Sequence, residues 1–131
     1  MDTSAWYALA DSADRYHEQA IRILQGSRQR RQQLVTTNHV VGECYTLFRS
    51  RGGFSAAQRF LERLRVSPAA ERIFVPDLWE VEAEKLLSQY ADQDISYVDA
   101  TSFVTMRHSA LTTAFAFDHH FAVAGFSLLS V

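Results

Sequence analysis

The sequence has little of several residue types, and each scarcity narrows the class of protein. Cys44 is the only cysteine, so no disulfide can form within the chain. Only two prolines occur, Pro68 and Pro76, and there is no linker or low-complexity segment, so the 131 residues suit one compact domain. No apolar run reaches the ~18 residues of a membrane span, and no signal peptide is visible. We therefore expect a cytoplasmic protein with no membrane association.

Two nucleotide-binding motifs are also absent, and lysine is rare. The sequence contains neither G-x-x-x-x-G-K-[ST] nor G-x-G-x-x-G, which disfavours nucleotide binding of those kinds. Lys85 is the only lysine beside twelve arginines. Residues 22–72 carry a formal charge of +7, whereas residues 77–118 carry −6. This asymmetry is compatible with binding a polyanion, and equally with charges spread over solvated helix faces.

Short apolar strands alternate with amphipathic helices along most of the chain. The spacing predicts helices at residues 4–10 and 14–28, then two helices separated by Gly52 and Gly53, then helices at 77–90 and 96–108. Asn38 and Asp77 are predicted helix N-caps. Strands are predicted at residues 33–37, 72–76, 112–117 and 126–131. This alternation predicts an α/β fold with a mostly parallel sheet and a crevice at the carboxyl ends of its strands.

Four acids stand where a carboxylate is costly or where it would face that crevice. Asp118 directly follows the predicted strand at 112–117, and Asp99 shares a helix face with apolar residues. Glu43 lies on the apolar stripe of its helix, and Asp2 precedes the first helix. A buried carboxylate has to be paired, hydrogen-bonded, protonated or metal-bound. A pocket of several acids favours Mg²⁺ or Mn²⁺, and such sites usually act on phosphate esters.

Each of these acids also has a purely structural interpretation. Asp2 could cap the first helix, and Asp99 could complement the dipole of its helix from the first turn. Glu43 could reach solvent at the edge of the stripe, and Asp118 could cap the turn at residues 118–121. The functional interpretation therefore depends on the four acids together.

The combination resembles the PIN-domain ribonucleases, especially the VapC-like toxins of bacterial toxin–antitoxin pairs. The segments that carry the resemblance occur in the family's order across the whole chain, as DTSAWYALAD, DRYHEQA, TTNHVVGE, DISYVDATSF, AFAFDHHF and AVAGFSLL. The resemblance implies a single PIN domain over residues 1–131, with a central, mostly parallel sheet flanked by helices. One departure stands at the start, where only Met1 precedes Asp2. The first strand is therefore expected to be truncated.

The resemblance also implies the roles of individual residues. The catalytic and metal-binding acids would be Asp2, Glu43, Asp99 and Asp118, supported by the hydroxyls of Thr3 and Ser4. Such an enzyme hydrolyses an RNA phosphodiester bond with an activated water and Mg²⁺ or Mn²⁺ as cofactor. It is restrained by a cognate antitoxin protein, and apolar helix faces lead us to expect a homodimer as well. The alternatives are a PIN scaffold that binds RNA or a protein partner without cleaving, and a different metal-dependent phosphohydrolase.

Three histidines near these segments are interpreted without a catalytic role. His119 and His120 stand where an arginine or lysine is frequent in the family. We interpret them as a solvated turn, with RNA binding or adventitious metal binding as alternatives. His17 is interpreted as structural.

Overall fold

The computed structural model describes residues 1–67 and 70–130. Pro68 and Val131, at a predicted boundary and at the end of the last predicted strand, lie outside the described residues. Helices and strands alternate as predicted, in the order α1 (Thr3–Ala10), α2 (His17–Gln29), β1 (Leu34–Thr37), α3 (Asn38–Val66), β2 (Ala70–Ile73), α4 (Asp77–Gln89), α5 (Tyr97–His108), β3 (Thr113–Ala114), α6 (His120–Val123) and β4 (Ser127–Leu128).

The strands form two parallel pairs in the part of the chain described. In one pair Leu34 of β1 lies opposite Ala70 of β2, and in the other Thr113 of β3 lies opposite Ser127 of β4. A helix lies between the two strands of each pair, as parallel pairing requires. The predicted α/β class with parallel strands is therefore confirmed. The strands are shorter than predicted, and β2 begins two residues before the predicted range of 72–76.

Met1 and Asp2 lie between the two strand pairs. The amino group of Met1 donates a hydrogen bond to the Val35 carbonyl at 2.6 Å, and the Thr36 hydroxyl donates to the Met1 carbonyl at 3.0 Å. On the other side, the Asp2 N–H donates to the Phe115 carbonyl at 3.0 Å. Asp2 has extended backbone angles, φ −93° and ψ 165°. Met1 and Asp2 therefore stand where the predicted sheet needs a central strand, and Asp2 contacts the segment that follows β3.

The predicted cap of α3 is wrong by one residue. Thr37 is the N-cap, because its hydroxyl accepts a hydrogen bond from the Val40 N–H at 3.1 Å. Asn38 is already helical, and its side-chain oxygen accepts a hydrogen bond from the Val75 N–H at 2.8 Å. Asn38 thereby connects the start of α3 to the segment that follows β2.

Two other helix boundaries follow from proline and glycine geometry. Pro76 is the N-cap of α4, so the prediction that Asp77 caps this helix is wrong, and Asp77 is its first residue. Gly53 has φ 82° and ψ 178°, which interrupts the helical backbone and divides α3 by a kink. The predicted boundary between two helices at Gly52 and Gly53 is thus observed as this kink.

Three apolar clusters hold the helices against the strands. One joins α4, α5, β3 and α6, where Phe103 and Phe121 pack edge to face with ring centroids 5.0 Å apart. A second joins the two halves of α3 through Phe48 and Phe60, and a third packs α1 and α2 on β1 and Phe115. Among the described helices, none is both long enough and apolar enough to cross a membrane.

Candidate active site

Asp2 is buried at the start of α1, and Ser4 fixes the position of its side chain. The Asp2 Oδ2 atom accepts hydrogen bonds from the Ser4 hydroxyl at 2.7 Å and from the Ser4 N–H at 3.2 Å. The same hydroxyl accepts a hydrogen bond from the Phe117 N–H at 2.9 Å, which joins α1 to the segment after β3. Asp2 is therefore a helix cap, as the structural interpretation proposed. The cap uses Oδ2, and no described residue donates a hydrogen bond to Oδ1.

Asp99 is buried in the first turn of α5, where it forms a capping box with Ser96. The Ser96 hydroxyl accepts a hydrogen bond from the Asp99 N–H at 3.0 Å, and Asp99 Oδ2 accepts one from the Ser96 N–H at 3.3 Å. Burial, reinforced by the negative charges of Asp2 and Asp118, raises the pKa of Asp99 from 3.8 to about 6. Asp99 is thus both a cap and a carboxylate whose charge the protein disfavours.

Asp118 lies beyond β3, with about a third of its side chain exposed. Its Oδ1 atom accepts a hydrogen bond from the His120 N–H at 2.9 Å, which closes the turn into α6. The capping interpretation of Asp118 is therefore also correct. Because its charge raises the pKa of Asp99, Asp118 belongs to the same site as Asp2 and Asp99.

His120 lies inside this site, so its interpretation as part of a solvated turn is wrong. Its Nδ1 atom is 3.0 Å from Asp118 Oδ1 and 3.9 Å from Asp99 Oδ2, and only 13% of its side chain is exposed. His119 is 76% exposed and fits the original interpretation. The sequence does contain a signal for His120. An aspartate side chain can accept a hydrogen bond from the N–H two residues later, which here brings His120 back towards Asp118.

Glu43 lies at the rim, and the prediction that it belongs to the buried stripe of α3 is wrong. The buried face carries Val40, Cys44 and Phe48, each four residues from the next, and Glu43 is exposed beside it. The Thr3 hydroxyl donates a hydrogen bond to Glu43 Oε2 at 2.5 Å. Thr3 therefore links Glu43 to the helix start that Asp2 caps.

The three buried or half-buried carboxylates lack a strong positive partner. In the described ranges, the ion pairs that involve Asp99 or Asp118 are with histidines, and no arginine or lysine pairs with Asp2, Asp99 or Asp118. Each carboxylate uses one oxygen for a local cap and leaves the other without a hydrogen bond from the described residues. Neighbouring carboxylates without such a partner suit a divalent cation such as Mg²⁺ or Mn²⁺.

Two neighbouring features do not contribute to this donor set. Burial raises the pKa of the Cys44 thiol to about 12, so a thiolate is disfavoured there. His17 Nδ1 lies 2.7 Å from the Ala8 carbonyl, a contact between α2 and α1 that agrees with a structural role. The donors at the site are therefore carboxylate oxygens and one imidazole nitrogen.

A separate cavity lies elsewhere in the molecule. It has a volume of about 830 Å³ between α1, α2 and α3, and it contains none of the four predicted acids. Its lining is mainly apolar, with aromatic side chains such as Trp6. Four arginines also line it, Arg28, Arg51, Arg59 and Arg63. The arginines of the basic half are thus partly gathered at this groove, away from the acids.

The chain matches a known protein family over nearly its whole length. The PIN domain family matches residues 1–127, and the chain belongs to this family. It is 36% identical over 126 residues to the 23S rRNA-specific endonuclease VapC20 of Mycobacterium tuberculosis, in both strains CDC 1551 / Oshkosh and H37Rv. The match covers 96% of this chain and 93% of the relative.

The same relative is similar in structure. A crystal structure of Mycobacterium tuberculosis VapC20, described as a toxin that cleaves the sarcin–ricin loop, matches with a TM-score of 0.86 and 35% identity. The match covers 95% of this chain and 93% of that chain. The family and the fold that the sequence predicted are therefore confirmed.

Proposed function

We propose that this protein is a metal-dependent endoribonuclease, the toxin of a toxin–antitoxin pair. One observation carries the proposal: Asp2, Asp99 and Asp118 lie near one another, and within residues 1–67 and 70–130 none of them pairs with an arginine or lysine. The likeness to VapC20, an endonuclease specific for 23S rRNA, covers nearly the whole chain and supports a structured ribosomal RNA as substrate. The whole chain would then act as one PIN domain.

The residues have distinct roles in this proposal. Asp2, Asp99 and Asp118 would hold Mg²⁺ or Mn²⁺, and Glu43 would complete the acidic pocket from its rim. When bound, such a cation offsets charge on the phosphate and lowers the pKa of the attacking water. Ser4 orients the Asp2 carboxylate through its hydroxyl, and Thr3 does the same for Glu43. These contacts reduce the freedom of the acids, which is how positioning contributes to catalysis.

Protein partners are part of the same proposal. An antitoxin that restrains the toxin in the cytoplasm has an available surface in the arginine-lined groove of about 830 Å³. A homodimer is supported by the apolar side chains around the start of α4, where Phe74, Leu78 and Val81 are 66%, 77% and 48% exposed. Sedimentation of the protein alone, and with the product of a neighbouring gene, tests both partners.

The function is tested by cleavage of total RNA in the presence of Mg²⁺, Mn²⁺ or EDTA. We expect cleavage with either metal, none with EDTA, and at least a ~100-fold loss in Asp99→Asn, because the neutral amide removes a negative charge from the site. Asp77→Asn is the matched control, because Asp77 is an exposed first-turn acid of α4. It should cleave RNA like the wild type.

Three outcomes would contradict the proposal. Full activity in Asp99→Asn would remove the acidic pocket from the chemistry. A folded wild type that binds RNA without cleaving it in either metal would instead favour the alternative of a binding scaffold. Turnover of small phosphate esters with no cleavage of RNA would favour a different phosphohydrolase.

A further inference from the structure

The ring of His120 has a buried nitrogen with no hydrogen-bond partner among the described residues. Among the described residues, two buried side-chain atoms lack a hydrogen-bond partner, Ser27 Oγ and His120 Nδ1. Ser27 lies in α2, apart from the acids. His120 Nδ1 lies between two carboxylates, 3.0 Å from Asp118 Oδ1 and 3.9 Å from Asp99 Oδ2. The distance from His120 Nδ1 to Asp118 Oδ1 is that of a hydrogen bond, but the ring is not oriented to make one.

In neither tautomer of a neutral His120 ring does the protein alone satisfy the Nδ1 atom. A proton on Nδ1 would leave a buried N–H without an aligned acceptor, which is unfavourable. A proton on Nε2 would instead leave the Nδ1 lone pair facing the oxygens of Asp118 and Asp99. A lone pair and two carboxylate oxygens that face one another repel. A cation between them would turn that repulsion into attraction.

The distances have the values expected for ligands of one ion. For an octahedral cation with bonds of about 2.1 Å, neighbouring ligand atoms lie about 3.0 Å apart and opposite ones about 4.2 Å apart. The separations of Nδ1 from Asp118 Oδ1 and Asp99 Oδ2, 3.0 and 3.9 Å, fall in that range. We infer that His120 Nδ1 is a direct ligand of the cation at the acidic site, an inference that rests on the proposed metal-dependent function.

His119 is the obvious competitor for this role, and the structure disfavours it. Asp118, His119 and His120 can each bring one donor atom within 4.8 Å of the others. His119, however, is 76% exposed and its Nδ1 is 3.8 Å from Asp118 Oδ1, whereas the side chain of His120 is 13% exposed. His119 would have to lose its solvation to bind the ion. His120 has already lost it.

A nitrogen ligand changes which metal the site prefers. Oxygen ligands alone suit Mg²⁺, whereas an imidazole shifts the preference towards transition metals, including Mn²⁺. The wild type should therefore favour Mn²⁺ over Mg²⁺ more strongly than a site made only of carboxylates. Removing the His120 ring should reduce this selectivity and leave Mg²⁺ affinity less affected.

The test is pulsed EPR of the Mn²⁺-loaded protein, together with calorimetric affinities for Mn²⁺ and Mg²⁺. We expect a ¹⁴N coupling to Mn²⁺ in the wild type and in His119→Ala, and its loss in His120→Ala. The ratio of Mn²⁺ to Mg²⁺ affinity should fall about tenfold in His120→Ala and stay unchanged in His119→Ala. If His120→Ala fails to fold, His120→Gln retains most of the side-chain volume and carries the same expectation.

The outcomes separate this inference from the function on which it rests. Mn²⁺ binding without ¹⁴N coupling, at an affinity that His120→Ala leaves unchanged, would overturn the ligand role and leave the metal-dependent function intact. A ¹⁴N coupling that disappears in His119→Ala would also overturn it. No binding of Mn²⁺ by the folded wild type would overturn both.

Discussion

The first turns of α4 and α5 carry similar acids in different surroundings. Asp77 opens α4 after Pro76, is exposed, and makes no side-chain cap. Asp99 lies in the first turn of α5, forms a capping box with Ser96, and is 7% exposed. Both carboxylates lie where the helix dipole favours negative charge. Only Asp99 is placed among other acids, which with its burial raise its pKa to about 6.

The comparison shows that a cap and a functional acid are not exclusive interpretations. Asp99 Oδ2 accepts the capping hydrogen bond from Ser96 and also lies 3.9 Å from His120 Nδ1 in the pocket. Asp118 Oδ1 likewise accepts the hydrogen bond that closes its turn and lies 3.0 Å from His120 Nδ1. The cap restricts each carboxylate to one orientation, which a metal site or a catalytic site needs. Helix-start signals in a sequence therefore do not argue against a catalytic role.

The largest expected effect separates capping from chemistry at Asp2. Asp2→Asn keeps an oxygen that can accept the hydrogen bonds from Ser4, so α1 should stay capped, but it removes the negative charge. We expect RNA cleavage to fall at least ~100-fold with little change in melting temperature. Initial cleavage rates and a thermal melt measure the two effects.

Ser4→Ala provides the complementary variant for Asp2. It keeps the carboxylate and removes the hydroxyl that orients it, so a smaller loss of about tenfold is expected. Equal losses in Asp2→Asn and Ser4→Ala would show that the orientation of Asp2, and not its charge, limits cleavage. Wild-type activity in Asp2→Asn would exclude Asp2 from the site.

Much of the fold could be predicted from spacing because helices depend on local pattern. The apolar periodicity of α1 and α5 and the glycines at 52–53 predicted elements that the structure contains. The predicted strand bounds were less accurate, because hydrogen bonding with a strand distant in sequence decides where each strand begins and ends. Ala70 lies opposite Leu34, which starts β2 before the apolar run at residues 73–75, and the Val75 N–H is used by Asn38. A single sequence does not show such a non-local contact.

The site was predictable in part, for the same reason. The proximity of Asp2, Asp99 and Asp118 could be predicted because each stands at a helix start or after an apolar strand. Glu43 was placed wrongly on the buried face, since Val40 and Leu47 lie three and four residues away, although the buried residues recur at Cys44 and Phe48. His120 was missed because its position depends on a turn closed by Asp118.

The second effect is a pH dependence of metal binding that Asp99 should produce. Its pKa of about 6 means that a cation displaces a proton below that pH, so Mn²⁺ affinity should rise up to tenfold per unit towards pH 6 and level above about 7. Asp2, Asp118 and His120 are the other titratable groups that face the same space. Calorimetric titrations at several pH values measure it.

Matched variants test whether Asp99 causes this dependence. Asp77→Asn should keep the wild-type slope, because Asp77 is exposed outside the acidic pocket. Asp99→Asn should bind Mn²⁺ weakly with a flatter profile. An unchanged slope in Asp99→Asn would assign the dependence to the neighbouring groups instead.

The smallest effect is on the stability of the metal-free protein, where the two first-turn acids should differ in sign. The pKa of Asp99 in the folded state, about 6, exceeds the 3.8 of an unperturbed aspartate, so folding favours its protonated form. The negative charge of Asp99 therefore leaves the free energy of unfolding unchanged below about pH 4 and lowers it by the full amount above about pH 6.

At pH 7 in EDTA, Asp99→Asn should raise the free energy of unfolding by about 1–2 kcal/mol, reduced for residual solvation. Asp77→Asn should lower it by about 0.3–0.5 kcal/mol, because the α4 dipole loses a favourable charge. Urea denaturation at pH 7 and pH 4 measures both, and destabilisation by Asp99→Asn at pH 7 would mean that its cap outweighs the repulsion in the pocket.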